Sequence, residues 1–475
     1  MNKHILGIDL GTSSVKLLLR HADGQVQKSK ASYSSRTPDG WHTALREAAA
    51  CLDLTHVAAI GLSSQVGTYI VNDTEVINWD DPIGRKELHY LKQTYSSETF
   101  IRELDMPHPD IISYPLPRLL YISKHFSKIH SICQPKDLIC QWLTGRRITD
   151  KYSLRGLVHT RKGTYSHYFL EELHIEEAVL PPLAEPDAIC GITTPDCKVR
   201  LGIPEGLPVF TGCNDFFAGL IGMGLQNSGE IFDITGTSEH IGFLCENLAF
   251  NTSLVSGVYF DQYIQYGVTA SSGPSLHLAM REFTDPASAA EFSRCLPDID
   301  TCLKRNPPIF TPYVNGERAP IFDSNARGVF FGIASDCTKE DLAYAVLEGV
   351  AFSLYHIYEH MTADTTAKPT ADYIKVSGGA AHNPVLNRIK AELFGKELQI
   401  LAEQDASALG AVMLAANGLG MSTEESLYQT VTDRIVPDGS FREKLLARYH
   451  IYKNLYPKLK KEFHKFAEIG KESRS

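Results

Sequence analysis

Two short strings have the composition of anion-binding turns. One is Asp9-Leu10-Gly11-Thr12-Ser13-Ser14, between an apolar run (Ile5, Leu6, Ile8) and an alternating one (Val15, Leu17, Leu19). The other is Gly236-Thr237-Ser238, inside EIFDITGTSEHIGF at 230–243. A β-turn-β loop presents consecutive backbone N–H groups with little side-chain bulk, which makes a nest for anionic oxygens. Thr12, Ser13 and Ser14 add hydroxyl donors, and Asp9 could orient a divalent cation or its waters. Two such loops facing each other would grip a polyphosphate from both sides. Taken singly, each is also an ordinary hairpin turn. Neither a Walker A string nor a dinucleotide G-x-G-x-x-G is present.

Phosphoryl transfer to a hydroxyl also needs a base or a positioning carboxylate. Asp215 is the candidate, because it stands where a strand ending in Phe210-Thr211-Gly212 meets a helix start. The competing job for an Asp there is helix N-cap. Cys213 in the same string reads first as a small core residue.

Several elements must hold these groups. Residues 5–20 read as strand, tight turn, strand, and HVAAIGLSSQ (56–65) as a buried strand ending in small polar residues. Segment 207–225 reads as a strand, a turn at Gly212 to Asp215, then a helix rich in small residues. Segment 230–243 repeats the opening hairpin, and 372–395 reads as strand, Gly-Gly turn and helix. Thr338 and Asp341 form an S/T-x-x-D cap before an apolar run through Leu342, Val346 and Val350. The duplicated hairpins imply two α/β domains of similar topology facing a cleft. Their expected bounds are 1–228 and 229–475. The closing helix over 441–468 carries lysines on a solvated face and is a candidate to pack back on the first domain.

Composition bounds the function class. The chain has 475 residues, 43% of them apolar and 21% charged, with a net charge of −10. That balance argues against general nucleic-acid binding, which needs a basic footprint. No apolar run approaches the roughly 20 residues that span a bilayer. The start, MNKHILGIDLGTSSV, does not read as a signal peptide. Ten scattered Cys without a C-x-x-C pair fit a reduced, cytoplasmic chain. A homodimer is compatible with this reading.

In this order, these segments resemble the FGGY carbohydrate kinases of the xylulokinase and gluconokinase kind. GIDLGTSSVK resembles the family's first phosphate loop, TGCNDFFAG the catalytic-Asp segment and DITGTSEHIG the second phosphate loop. PYVNGERAPIFDSNARGVFFGI (312–333), running on to residue 348, is the most specific part, and VSGGAAHNPVLNRIKAELFG resembles the adenosine segment. The resemblance implies an actin-like ATPase fold, with two ribonuclease-H-like α/β domains flanking a central cleft whose closure excludes water. It implies ATP and Mg²⁺, with a small sugar as the other partner. Thr12 and Ser13 would touch phosphate, Asp9 would help hold Mg²⁺, and Gly236 and Thr237 would contact the outer phosphates. Gly378, Gly379 and Asn383 would line the adenosine side. Asp215 would take the proton of the attacking hydroxyl.

The acceptor side departs from the family pattern. Gln65-Val66-Gly67-Thr68 stands where xylulokinase-like members carry Gln-Met-His-Gly, so the sugar-bonding His is absent. The Arg-Glu pair of glycerol kinases is absent too. Trp79 and Asp81 keep the spacing of a W-x-D-x-R element, but Arg85 lies two residues too far on, and Arg118 begins Arg-Leu-Leu-Tyr where relatives have Lys-Leu-Leu-Trp. Phe216 follows the catalytic position and could cover an apolar sugar face. Gln65, Val66, Trp79, Asp81 and Phe216 are the expected acceptor contacts. Two rivals remain at this point: a non-catalytic sugar or nucleotide sensor on the same fold, and a zinc hydrolase built on the H-x-x-E-H string His356, Glu359, His360.

Overall fold

The apolar runs around the first loop become the centre of a sheet. The computed structural model describes residues 4–107, 111–248, 250, 253–283, 299–363, 367–421 and 429–472. Strands β1 (His4–Leu10) and β2 (Ser14–Arg20) pair antiparallel with Leu10 opposite Val15, and β3 (Val26–Ser32) extends the meander. Then β4 (Val57–Ser64) adds parallel to β1, and β6 (Pro208–Asn214) parallel to β4. The edge strand β5 (Ile189–Ile192) runs antiparallel, giving the order β5-β6-β4-β1-β2-β3. Both faces of β1 and β4 are buried, which is why they read as near-continuous apolar runs.

The second sheet repeats the plan. Strands β7 (Ile231–Thr235) and β8 (His240–Cys245) form the hairpin, continued by β10 (Gln262–Val268) and β9 (Val255–Tyr259). Strands β11 (Tyr373–Gly378) and β12 (Glu397–Leu401) add in parallel on the other side, and β13 (Val431–Ile435) closes the edge antiparallel. The order is β9-β10-β8-β7-β11-β12-β13.

Helices complete each layer. In the chain's first half α1 (Asp215–Gly222) follows β6 directly. Later come α2 (Ser272–Phe283), α3 (Lys339–Ala363), α4 (Pro384–Phe394), α5 (Ala406–Gly418) and α6 (Arg442–Glu472). The expected cap of α3 forms: Thr338 N donates to Asp341 Oδ2 at 2.9 Å, and Asp341 N to Thr338 Oγ1 at 3.3 Å. Among the described residues no helix is long and apolar enough to cross a membrane.

The chain divides into two compact units, Met1–Gly224 with Asp405–Gln429, and Leu225–Gln404 with Thr430–Ser475. The sequence reading places one crossing, at 228/229; the compact units change at 224/225, 404/405 and 429/430, because α5 packs in the first unit. Small residues on all sides let it approach backbone to backbone. A Cβ on Gly61 would lie 1.8 Å from the Ala411 carbonyl oxygen, and one on Gly410 would lie 1.7 Å from that of Ala218. The apolar face of α6 goes to the second unit's own core through Leu445, Tyr449 and Tyr452. Arg448 adds two 2.7 Å contacts to the buried Glu348.

One local expectation shifts. Residues 212–214 are the last stretch of β6 rather than a turn. Gly212, at φ 68°, carries a register shift between Phe210 and Cys213, and a Cβ there would lie 1.7 Å from the Leu62 carbonyl oxygen.

The close approach of α5 makes a stability prediction. Gly410→Ala should lower the unfolding free energy by about 2 kcal/mol or more through overpacking. Denaturant titration measures this, and a loss below about 0.5 kcal/mol would mean the approach is not tight.

Candidate active site

The first group of candidate residues follows from strand register. Leu10 pairs with Ser64, and Ser64 with Asn214, so β1, β4 and β6 end level with one another. The residues that come next are Gly11, Gln65 and Asp215. In open α/β sheets such carboxyl-terminal strand ends are where ligands collect. Gln65 N donates to Leu10 O at 2.8 Å, tying two of the ends together.

Asp9 is buried on β1 and accepts a 2.8 Å hydrogen bond from Ser63 Oγ. Burial pushes its carboxyl up, while Ser63 and the nearby Lys16 pull it down. The loop after it is braced from below. Gly11 N donates to Ser14 O at 3.0 Å, Tyr33 OH donates to Gly11 O, and Tyr33 N donates to Ser13 O at 3.1 Å. Thr12 is half-buried and Ser13 exposed at its tip.

Asp215 is the first residue of α1, but the capping job belongs to its neighbour. Asn214 Oδ1 accepts from Phe217 N at 3.0 Å, so the cap is filled one residue earlier. The Asp215 carboxylate is half-buried and accepts from Phe216 N at 2.9 Å. Burial, and then the negative charge of Asp9, push its pKa up to about 7. Cys213 is buried and its thiol is pushed well up by burial, as a core residue's would be.

The expected acceptor contacts lie on and beside this edge. Gln65 is 2% exposed, yet neither Nε2 nor Oε1 has a hydrogen-bond partner among the described residues. Val66 beside it is 38% exposed, and Phe216 is half-buried. Trp79 and Asp81 belong to a turn after Glu75–Ile77. Asp81 Oδ2 accepts from Asn78 N at 2.7 Å, and Trp79 N donates to Thr68 Oγ1 at 3.1 Å. Arg118, fully buried, clamps that turn with Nη2 on the carbonyls of Asn78, Trp79 and Asp81, at 2.9 to 3.1 Å. Arg85 is exposed at the start of the next helix.

The second group surrounds a cavity of about 1020 Å³ in the second unit. Gly236, Thr237, Gly379 and Asn383 all line it. Gly378, at φ 101°, stands behind them, and its N–H donates to Gln404 Oε1 at 2.8 Å. Thr235 joins the two glycine turns: its carbonyl accepts from Gly379 N at 3.3 Å and its Oγ1 from Ala380 N at 2.9 Å. Asn383 caps α4 through Oδ1, which accepts from Leu386 N at 3.0 Å. Leu276, Leu278, Met280 and Val314 supply an apolar wall, and His277, Arg281 and His382 a polar one. An apolar cavity with a few convergent polar groups and glycine turns at one end suits a nucleoside with a phosphate tail.

The family models decide the assignment. The N-terminal domain model of the FGGY family of carbohydrate kinases matches residues 4–222, and the C-terminal domain model matches residues 234–419. The chain belongs to the FGGY family of carbohydrate kinases. It is an enzyme of ATP-dependent sugar phosphorylation, and its other substrate is a small-molecule sugar. It is 28% identical to the xylulose kinase of Lactococcus lactis over 99% of both chains. It is 25% identical to the gluconokinase of Bacillus subtilis, over 92% of this chain and 91% of that one. Among solved structures, the ligand-bound xylulose kinase of Lactobacillus acidophilus matches with a TM-score of 0.85 at 24% identity, over 98% of this chain and 100% of that one. The likeness supports the two-domain actin-like fold.

Several residues at these sites had no sequence signal. Lys16 Nζ lies 2.7 Å from Asp405 Oδ1, a partner 389 positions away. Burial alone would lower that ammonium, but the bond to Asp405 and the charges of Asp405 and Asp9 hold it above its ordinary value. The zinc reading is corrected. The His356 and His360 rings are 5.5 Å apart, but Glu359 is engaged by Lys453 at 2.7 Å and by Tyr449 OH. Among the described residues no group of three or more His, Cys, Asp or Glu is arranged to hold a metal.

The raised pKa of Asp215 has a stability consequence. Its folded value, about 7, lies above the ordinary aspartate value of 3.8, so the native state binds more protons between those pH values. Its contribution to stability is full below the lower value and is lost as pH rises through the upper one. In metal-free buffer the stability gain of Asp215→Asn over wild type should therefore be on the order of a few kcal/mol at pH 8, less than about half of that at pH 5, and close to zero only below the lower value. Thermal melts across that range test this; two curves running parallel would refute it.

Proposed function

We propose that the chain transfers the γ-phosphoryl group of ATP to a hydroxyl of a ketose, polyol or aldonate, with Asp215 as general base. The observation that carries this reading is the state of Asp215. It is relieved of capping by Asn214, poised near neutrality by burial and by Asp9, and set on the edge where three parallel strands end. A base titrating near the working pH is the effective kind. Its ionised carboxylate takes the proton of the acceptor hydroxyl as that oxygen bonds to the γ-phosphorus. The bond from phosphorus to the bridging oxygen breaks, and ADP carries the electron pair away.

Thr12 and Ser13 would bind the transferring phosphate, and Gly236 and Thr237 the outer phosphates. Gly378, Gly379 and Asn383 would line the adenosine side; Asn383 keeps its Nδ2 for this, since its Oδ1 serves the cap. Asp9 fits a divalent cation, being a buried hard oxygen donor with one hydroxyl partner. Mg²⁺ held there, directly or through water, would neutralise phosphate charge. In the reading proposed here, the nucleotide is held by the second unit and the acceptor by the first.

On the acceptor side, Gln65 supports recognition of a polar ligand, because an unpartnered buried amide carries a desolvation penalty that a hydroxyl group would relieve. Trp79, whose N–H is held by Thr68, and Asp81 would be the further contacts of the acceptor. Val66 and Phe216 would cover an apolar sugar face or a deoxy carbon. Relatives named xylulose kinase and gluconokinase support the ketose and aldonate classes.

A panel of ketoses, polyols and aldonates assayed for ADP release tests the reading, with at least one sugar expected to give acceptor-dependent turnover. Asp215→Ala should cut that turnover by about a thousandfold while leaving the ATP dissociation constant nearly unchanged. Turnover near the wild-type rate in that variant would remove Asp215 from its role. The pH profile should lose activity as pH falls through about 7 or somewhat lower, because a cation at Asp9 relieves part of the repulsion on Asp215. A profile flat down to pH 5 would contradict a base of this kind.

A further inference from the structure

Three charged side chains meet behind the second glycine loop, shielded from solvent. Lys390, two turns into α4, has a side chain 1% exposed. Its Nζ donates to Asp233 Oδ2 at 2.7 Å and also to Glu239 Oε1. Asp233 lies on β7 and Glu239 just before β8, so the two carboxylates flank Gly236-Thr237-Ser238 on either side. Asp233 Oδ1 has no hydrogen-bond partner among the described residues, which leaves Lys390 as the contact that stabilises this carboxylate. Burial would lower the Lys390 ammonium, but the two carboxylates hold it well above its ordinary value, so it stays charged.

The same loop is held from a second direction. Ser272 Oγ, at the start of α2, donates to Glu239 Oε2. The next residue, Gly273, donates its N–H to the carbonyls of Gly236 and Thr237, at 3.1 and 3.2 Å. A Cβ on Gly273 would lie 2.9 Å from the Gly236 carbonyl oxygen, so the helix end abuts the loop backbone.

The hairpin can offer its N–H groups to one anion only while its two stems keep their separation. Burial and the neighbouring Glu239 push the Asp233 carboxyl up to about 8 while the Lys390 ammonium pulls it down, so the one ammonium placed on both carboxyls offsets their repulsion and clamps the stems. We propose that Lys390, with Asp233, Glu239 and Ser272, is a positioning cluster that sets the Gly236–Ser238 loop for the outer phosphates of the nucleotide. This rests on the kinase reading above and gives a role to Asp233, Glu239 and Lys390, which lie in the second phosphate-loop and adenosine segments but had no role assigned from sequence. Lys390 acts through the loop, since both of its contacts are carboxylates of the stems.

The test separates phosphate binding from general damage. Calorimetric titration of the full chain with ATP, ADP and AMP compares ligands with and without the outer phosphates. Lys390→Met should weaken ATP and ADP by about tenfold or more, and AMP by less than about twofold. Adding Asp233→Asn and Glu239→Gln to that variant removes the repulsion and should recover part of the lost ATP affinity. Should Lys390→Met fail to fold, Ser272→Ala carries the test, with about a threefold loss for ATP and none for AMP. Equal losses for AMP and ATP, or no loss for either, would overturn the proposal. A wild-type chain that binds no ATP would instead overturn the kinase reading itself.

Discussion

Two carboxylates held near each other in a poorly hydrated place set the constraint around which the first unit is built. Asp9 and Asp215 come from opposite ends of a stretch of more than two hundred residues, yet the negative charge of one acts on the other. Left to themselves they would separate or take up a proton. Register prevents the separation, because the ladders of β1, β4 and β6, with the bulge at Gly212 included, bring their ends level. The helix cap at Asn214 then fixes the direction in which the chain leaves β6. What remains is a proton affinity shifted toward neutrality, and that shift is what a base for an alcohol requires.

The second unit solves a different problem with the same strand plan. Its hairpin loop has no acidic residue in the position of Asp9 at its mouth; its carboxylates lie behind, buried and matched to Lys390. The two units thus share topology and diverge in electrostatics. One presents negative charge suited to a cation and a proton, while the other presents backbone N–H groups with its charge kept internal. That division agrees with a reaction in which one partner is a polyanion and the other a neutral or singly charged sugar.

Much of this was legible in the sequence, for reasons of period and local chemistry. Both hairpins, the strand before Gln65 and the Gly-Gly turn before α4 follow from apolar runs punctuated by glycine and hydroxyl residues. Asp215 stood out because an acidic residue at a strand-to-helix junction has few jobs, though sequence could not show that Asn214 had taken the commonest one. The misses share a cause, in that they are contacts between residues far apart in the chain. Lys16 with Asp405, Arg118 on the turn at 78–81 and Lys390 between two stems leave no periodic trace. Gly212 read as the end of the strand because glycine punctuates a run, whereas the bulge that uses its positive φ depends on the neighbouring strand at Leu62. The membership of α5 in the first unit was invisible for the same reason, since a small-residue helix reads alike wherever it packs.

That membership bears on how the protein is made. As the chain leaves the ribosome, β1, β4 and α1 emerge early, but the helix whose backbone seats against Gly7, Gly61 and Ala218 is encoded almost two hundred residues later. Until then a flat, glycine-lined apolar surface has no mate, and nascent chains of intermediate length present it to whatever is nearby. Synthesis of most of the second unit, Leu225–Gln404, therefore precedes completion of the first, and the interval between them is a natural point of engagement for chaperones.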